Sequence, residues 1–223
     1  MTRQALILIG AGGHGKVVAE AAAATGRYRV AAFADDKYEQ EKVEGGILRV
    51  PVADVQRLLG RLDDVQLILA VGNNVVRRRL EARLGLSADW YATVVHPSAV
   101  ISKSATIGRG TVVLAGAILN ADAVVGRHAI VNTKAVVEHD CAVGDYTHVS
   151  PAAALAGGVT LEAGAQVGIG ACVLPGLTVG AWSTLGAGAT AIRDVPAGCT
   201  AVGVPASHIR YRNAHQDHLL QVE

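Results

Sequence analysis

Two histidines stand nine residues apart, His139 and His148, and Gly157 follows His139 by eighteen. An imidazole ionises near pH 6.5, so either ring can take and return a proton near neutrality. His139 lies in Val137-Glu138-His139-Asp140-Cys141. A carboxylate beside it could orient the ring, and the sequence leaves Glu138 and Asp140 both open. A glycine at 157 leaves a backbone N–H uncovered, a donor of the kind that steadies a developing oxyanion. The plain alternative for each histidine is a solvated surface side chain.

A second group of residues could hold a ligand. Gly10-Ala11-Gly12-Gly13-His14-Gly15 follows the apolar run Ala5–Ile9, and Lys16–Thr25 then reads as helix. Arg29–Ala34 reads as a second strand ending at Asp35-Asp36. The pattern approaches a dinucleotide fingerprint, with His14 intruding. Bound NAD, a nucleotide-linked ligand and a purely structural turn are the three readings. Val65–Val71 gives a third strand, ending at Gly72-Asn73-Asn74, with helix over Val75–Leu84 and a shorter helix over Ala53–Leu59. Ligands of open α/β sheets bind beyond the carboxyl ends of the strands. That rule gathers Gly12, His14, Asp35, Asp36, Gly72 and Asn73 into one expected pocket. The run Arg77–Arg79 reads as the wet face of a helix.

The elements that must position the histidines are set by a period of six. Aliphatic residues recur from Val95 through Ile101, Ile107 and Val113 to Val179 and Leu185, and the fourth residue after each is usually small. A 3.6-residue helix would smear such a pattern around its surface. Three flat hexapeptide faces per turn satisfy it, with eighteen residues per rung and rungs about 4.8 Å apart. In this frame His139 and Gly157 stack on neighbouring rungs. His148 falls half a turn away, so the two rings can face one cleft only across a neighbouring coil or subunit. Cys141 points inward, which removes it as a nucleophile. Gly108, Gly126, Gly144, Gly168, Gly180 and Gly186 follow inward aliphatics, where corners are expected to need left-handed backbone. Trp90-Tyr91 is expected to pack the first domain onto the coil. The polar stretch from Ser207 onward reads as a cap or frayed end.

Composition agrees with a narrow aliphatic coil. Apolar residues make up 51% of the 223, aromatics only 4%. The formal charge of +1 gives no bulk attraction for nucleic acid. No long apolar span or signal-peptide pattern is visible, and three scattered cysteines lack metal spacing. A reduced, cytoplasmic protein is the expectation.

The chain resembles the left-handed β-helix acyltransferases, in particular the sialic acid O-acetyltransferase-like and nucleotide-amino-sugar N-acetyltransferase family. The marks are the Gly10–Gly15 run, Val137-Glu138-His139-Asp140, His148-Val149-Ser150, Val173-Leu174-Pro175-Gly176 and Val202-Gly203-Val204-Pro205-Ala206. The resemblance implies a small Rossmann-like α/β domain over residues 1–90, a left-handed parallel β-helix over 91–210 and a polar tail over 211–223. It implies acetyl-CoA as co-substrate, no metal, and a homotrimer with active sites between coils. His139 is then the general base and Asp140 its modulator. His148 and the Gly157 N–H contact the thioester carbonyl, and Asn132 lies near the sugar amine. Gly12, His14, Asp35 and Asp36 hold the nucleotide sugar, while Ile169, Ala187 and Val204 line the coenzyme A channel. Relatives can carry Glu where this chain has Asp140. O-acetylation of a sialic-acid-like sugar and a non-enzymatic scaffold are the rival functions.

Overall fold

The computed structural model describes residues 3–211. The first domain is a five-stranded sheet in the order β3-β4-β2-β1-β5. Its strands are β1 (Gln4–Ile9), β2 (Tyr28–Ala34), β3 (Lys42–Glu44), β4 (Ile47–Val50) and β5 (Val65–Leu69). All pairings are parallel except β3 with β4. That hairpin is absent from the sequence expectation. Gly45-Gly46 closes it with positive φ at both residues, 58° and 77°, the backbone a two-residue hairpin turn requires. The helices are α1 (Gly13–Ala24), α2 (Val55–Leu59) and α3 (Asn74–Leu84). Helix α1 begins three residues before the expected Lys16, so half of the glycine run is helix.

From Val94 the chain winds into three parallel sheets. As far as Ala191 each dipeptide strand pairs with the strand eighteen residues on, as in Ile118↔Val136 and Val136↔Ala154, and the last rung shortens to sixteen, with Thr184↔Thr200. The first face carries the strands at 94–95, 112–113, 130–131, 148–149, 166–167 and 184–185. The second starts at 100–101 and the third at 106–107. The inward aliphatics and their small partners form one continuous core, Cys141 included. The alternative of an ordinary sandwich is excluded by this pairing.

The corner glycines work differently from the expectation. None of Gly108, Gly126, Gly144, Gly168, Gly180 and Gly186 has positive φ; the left-handed residues stand two positions later. A Cβ on Gly108 would lie 2.6 Å from the Gly126 carbonyl carbon, and one on Gly168 2.6 Å from the Ala187 nitrogen. At Gly108, Gly144, Gly168 and Gly180 successive rungs stack backbone on backbone, Gly126 meets Asp145 Oδ1 as well as backbone, and Gly186 meets the Val202 side chain. The left-handed position accepts Asp122, His128, Lys134, Asp140, Tyr146 and Trp182 as well as glycine.

The α/β domain sits against the first face. Leu6, Leu8, Val18 and Ile68 share a core with Val94, Val112 and Leu114 of the coil. Tyr91 is fully buried at the junction, while Trp90 keeps 37% of its surface exposed. At the far end Cys199–Val202 continues the first face, and Ser207–Tyr211 returns antiparallel to it. The segment from Ser207 to Tyr211 is therefore a strand. The remaining tail, with His215 and His218, lies outside the described residues.

Candidate active site

The corners of the coil order the site residues. His139, Asp140 and Gly157 lie on the edge between the second and third faces. The His139 Nδ1 is 2.8 Å from Asp140 Oδ2. A carboxylate accepts, so Nδ1 carries the hydrogen and Nε2 keeps its lone pair. Glu138 is engaged elsewhere, accepting from Asn120 Nδ2 at 2.8 Å. Asp140 is thus the orienting carboxylate, a choice the sequence left open. Its hydrogen bond also raises the imidazole pKa above the ordinary 6.5. The ring is solvent-exposed and lies over Gly157, where an added Cβ would sit 2.5 Å from Cε1 and 2.6 Å from Nε2. The Gly157 carbonyl is taken by Gly176 N, and the Gly158 N–H by the His139 carbonyl. Among the described residues nothing accepts from the Gly157 N–H.

Asn132, Ile169 and Ala187 lie on a different edge, between the first and second faces, and His148 points outward from the first face beside them. Ile169, Ala187 and Val204 are exposed, Val204 in the turn that precedes Ser207–Tyr211. The His148 ring is buried where the first domain covers the coil. Nδ1 stands 3.2 Å from the Gly72 carbonyl oxygen, which can only accept, so Nδ1 holds the hydrogen. Nε2 lies 3.0 Å from Asn132 Nδ2. The Asn132 amide is oriented independently, because Oδ1 accepts from the Thr133 backbone N–H at 2.8 Å. Burial first, then Arg77 and His14, push the His148 pKa down to about 4. A neutral ring with Nε2 as acceptor offers no N–H there to a thioester carbonyl. The expected donor role of His148 thus differs from what this geometry provides.

The structure gathers the expected pocket of the α/β domain. The parallel strands β1, β2 and β5 bring Gly10–Gly15, Asp35-Asp36 and Gly72-Asn73 to one edge. Gly10 and Gly15 are packing residues, since a Cβ on Gly15 would lie against the Gly10 carbonyl. Gly12 faces open space as the N-cap of α1, with no side chain on its N–H groups. His14 follows in the first turn, its ring centroid 6.3 Å from that of His148. Its Nε2 is buried without a partner, and burial then Arg77 lower its pKa to about 4. Three expected ligand contacts already have protein partners. Asp35 accepts from the Ala11 and Lys37 N–H groups, clasping the glycine loop. Asp36 pairs with Arg83 at 2.8 Å. Asn73 caps α3, accepting from Val75 N and Val76 N.

Sequence reasoning misplaced one residue of this region. Arg77 is 0% exposed, the reverse of a wet face. Its guanidinium donates to the carbonyls of Val71, Gly72, His128, Tyr146 and Thr147 and to Asn74 Oδ1. Burial lowers its pKa to about 9. Asn74 reaches the Gly164 and Ala165 carbonyls, Glu81 accepts from the Tyr146 hydroxyl, and Arg78 lies over the Trp182 ring. The i, i+3, i+7 spacing of Asn74, Arg77 and Glu81 was the available signal, as one polar helix face. No group of three or more His, Cys, Asp or Glu residues placed to hold a metal occurs among the described residues.

Comparisons with known proteins agree with this architecture. Residues 5–84 match the PglD N-terminal domain. UDP-N-acetylbacillosamine N-acetyltransferase of Bacillus subtilis (strain 168) is 49% identical over 106 residues, 47% of this chain. That match spans about half, 48%, of the Bacillus protein's length. Perosamine N-acetyltransferase from Caulobacter crescentus, solved as a histidine-to-asparagine variant with CoA and GDP-perosamine, superposes with a TM-score of 0.85. It is 38% identical, over 92% of this chain and 97% of that one. The acetyltransferase domain of PglB from Neisseria gonorrhoeae, solved with acetyl coenzyme A, gives 0.81 at 40% identity, over 93% and 100%. The coil is the left-handed parallel β-helix of these proteins. With an α/β domain of one family, a hexapeptide coil and full-length likeness at this identity, the chain belongs to the hexapeptide-repeat nucleotide-amino-sugar N-acetyltransferases.

Proposed function

We propose that this chain transfers an acetyl group from acetyl-CoA to the amine of a nucleotide-linked amino sugar of the UDP-4-amino-sugar type. The observation that carries the reading is His139, fixed by Asp140 with Nε2 free, lying over an uncommitted Gly157 N–H. The names of the relatives support the acceptor class. As the amine nitrogen attacks the thioester carbonyl carbon, a C–N bond forms and His139 Nε2 takes the amine proton. The Gly157 N–H donates to the oxyanion, an interaction gained in the transition state. Collapse of the tetrahedral intermediate breaks the C–S bond, and coenzyme A leaves as a thiolate that takes up a proton. His148 Nε2 accepts from Asn132 Nδ2 and so holds the Asn132 amide in place, where its second N–H faces the region of the acceptor amine. The bare N-terminus of α1 at Gly12 and Gly13 suits a phosphate group.

The division of these residues between two edges supports a homotrimer. His139 and Gly157 occupy one edge of the coil, and Asn132, Ile169 and Ala187 another. A neighbouring copy that sets one edge against the other assembles a complete site, with acetyl-CoA between them. Three free cysteines agree with a reducing, cytoplasmic setting. Among the described residues no helix is long and apolar enough to cross a membrane.

The test is thiol release from acetyl-CoA across a panel of UDP- and GDP-linked amino sugars, free amino sugars and free sialic acids. Transfer to a nucleotide-linked amine is expected, falling about 10²- to 10⁴-fold in His139→Ala. Preference for a hydroxyl of a free nine-carbon sugar would replace the reading with O-acetylation. No acetyl-CoA binding by calorimetry would leave a scaffold.

A further inference from the structure

Arg77 is unusual as a buried cation whose hydrogen-bond partners are all neutral. A guanidinium taken from water is costly unless its N–H groups are satisfied, and here carbonyls from both domains satisfy them. The placement of those carbonyls is the informative part. Two belong to Val71 and Gly72, at 2.9 and 3.3 Å, in the loop after β5. One belongs to Thr147 at 3.0 Å, the residue before His148. Arg77 therefore grips both backbone segments that meet at the His148 ring. The Gly72 carbonyl accepts from Arg77 Nη1 and His148 Nδ1 together.

We propose that Arg77 is a positioning residue for acetyl transfer: it clamps the Val71-Gly72 peptide so that the Gly72 carbonyl holds His148 as the Nδ1–H tautomer, with Nε2 presented beside Asn132. This rests on the reading of Asn132, its amide held by His148 Nε2, as a contact near the acceptor amine. An ammonium head could not replace the clamp. Lysine has three donors on a compact centre, whereas the planar fork spans carbonyls on opposite sides. Without the clamp the Gly72 carbonyl is free to turn, and the His148 ring exchanges hydrogens between its nitrogens. In the Nε2–H form it would set a donor against the Asn132 Nδ2 donor and turn that amide away.

The test combines imidazole ¹⁵N NMR on histidine-labelled full-length protein with steady-state kinetics. The His148 signals are assigned by their loss in His148→Gln. Wild type is expected to show hydrogen on Nδ1 and none on Nε2. Arg77→Lys is expected to give mixed tautomers, with kcat down about 10-fold and KM for both substrates within about twofold. Asn74→Ala removes one acceptor of the guanidinium and keeps the charge; it is expected to move both readouts the same way by less. It decides the matter if Arg77→Lys does not fold. Hydrogen on Nε2 in wild type overturns the proposal. So does an unmoved His148 pattern in the folded variant, even where kcat falls. A wild-type protein without turnover on any nucleotide amino sugar would instead sink the proposed activity, while the NMR arm still judges the clamp.

Discussion

Adjacent glycines on one edge of the coil should answer the same substitution in opposite ways. A Cβ at Gly157 would lie 2.5 Å from His139 Cε1 and 2.6 Å from Nε2. Carbon contacts are comfortable at roughly 3.5–4.0 Å, so Gly157→Ala must drive the ring away by about 1 Å. The ring is exposed and free to swing, so this clash is relieved without disturbing the core. Its hydrogen bond to Asp140 and the alignment of Nε2 are lost instead. A displacement of about 1 Å is worth about 10²-fold in rate, or roughly 2.7 kcal/mol in the barrier. Gly157 lacks positive φ, so the backbone accepts alanine, and Tm should stay close to wild type. At Gly158 the conditions are reversed. Its φ is +71°, and an added Cβ meets nothing closer than 3.8 Å. Gly158→Ala should cost about 1–2 kcal/mol of stability through left-handed strain and leave kcat/KM within a few-fold of wild type. Acetyl-transfer kinetics and thermal melts on both proteins give the comparison. Full activity in Gly157→Ala would mean that the ring does not lie over Gly157 during catalysis, and the base assignment would lose its geometric support.

Three further outcomes follow from the same geometry. Asp140 favours the imidazolium of His139, so the base form appears only as pH rises through a pKa above 6.5; kcat/KM should climb over that range. Asp140→Asn removes the carboxylate but tolerates φ of 60°, so the acidic limb of the kcat/KM profile should move to lower pH, with a reduced plateau. An unmoved limb would separate His139 from the titration. Asn73→Ala should cost about 1 kcal/mol through the lost cap of α3, lowering Tm by roughly 2–4 °C, with KM for the nucleotide sugar little changed. A large rise in that KM would restore Asn73 as a ligand contact. Refolding His139→Ala together with Asn132→Ala should recover activity that neither has alone, because mixed assemblies pair an intact edge from each. Recovery no greater than the sum of the two would place the whole site within one chain.

The coil was legible because its information is one-dimensional. A period of six fixes which residues point inward and which stack, so Cys141 inside and Gly157 beneath His139 followed from counting. The glycine turn and the ends of β1, β2 and β5 were legible as well, since sheet order need not be known for parallel strand ends to converge. Arg77 was not. Three arginines in a row look solvated, and only with the coil docked does the first one gain the His128, Tyr146 and Thr147 carbonyls that complete its partners. The choice of Asp140 over Glu138 also needed coordinates, because the left-handed backbone at 140 turns its carboxylate back to the ring while Asn120 draws Glu138 away. For Asp35 and Asn73, residue type suggested a ligand, but nearby N–H groups had already claimed their oxygens.

The strict eighteen-residue register between strands sets what kinds of length change the coil could survive. Removing six residues anywhere between Val113 and His139 would keep every aliphatic inward, yet it would carry His139 one third of the way round the axis. Removing eighteen would return it to the same edge, one rung of about 4.8 Å closer to the start of the coil. Insertions and deletions in this chain are therefore filtered by arithmetic. Multiples of six preserve the fold, and only multiples of eighteen preserve the edge on which the base stands.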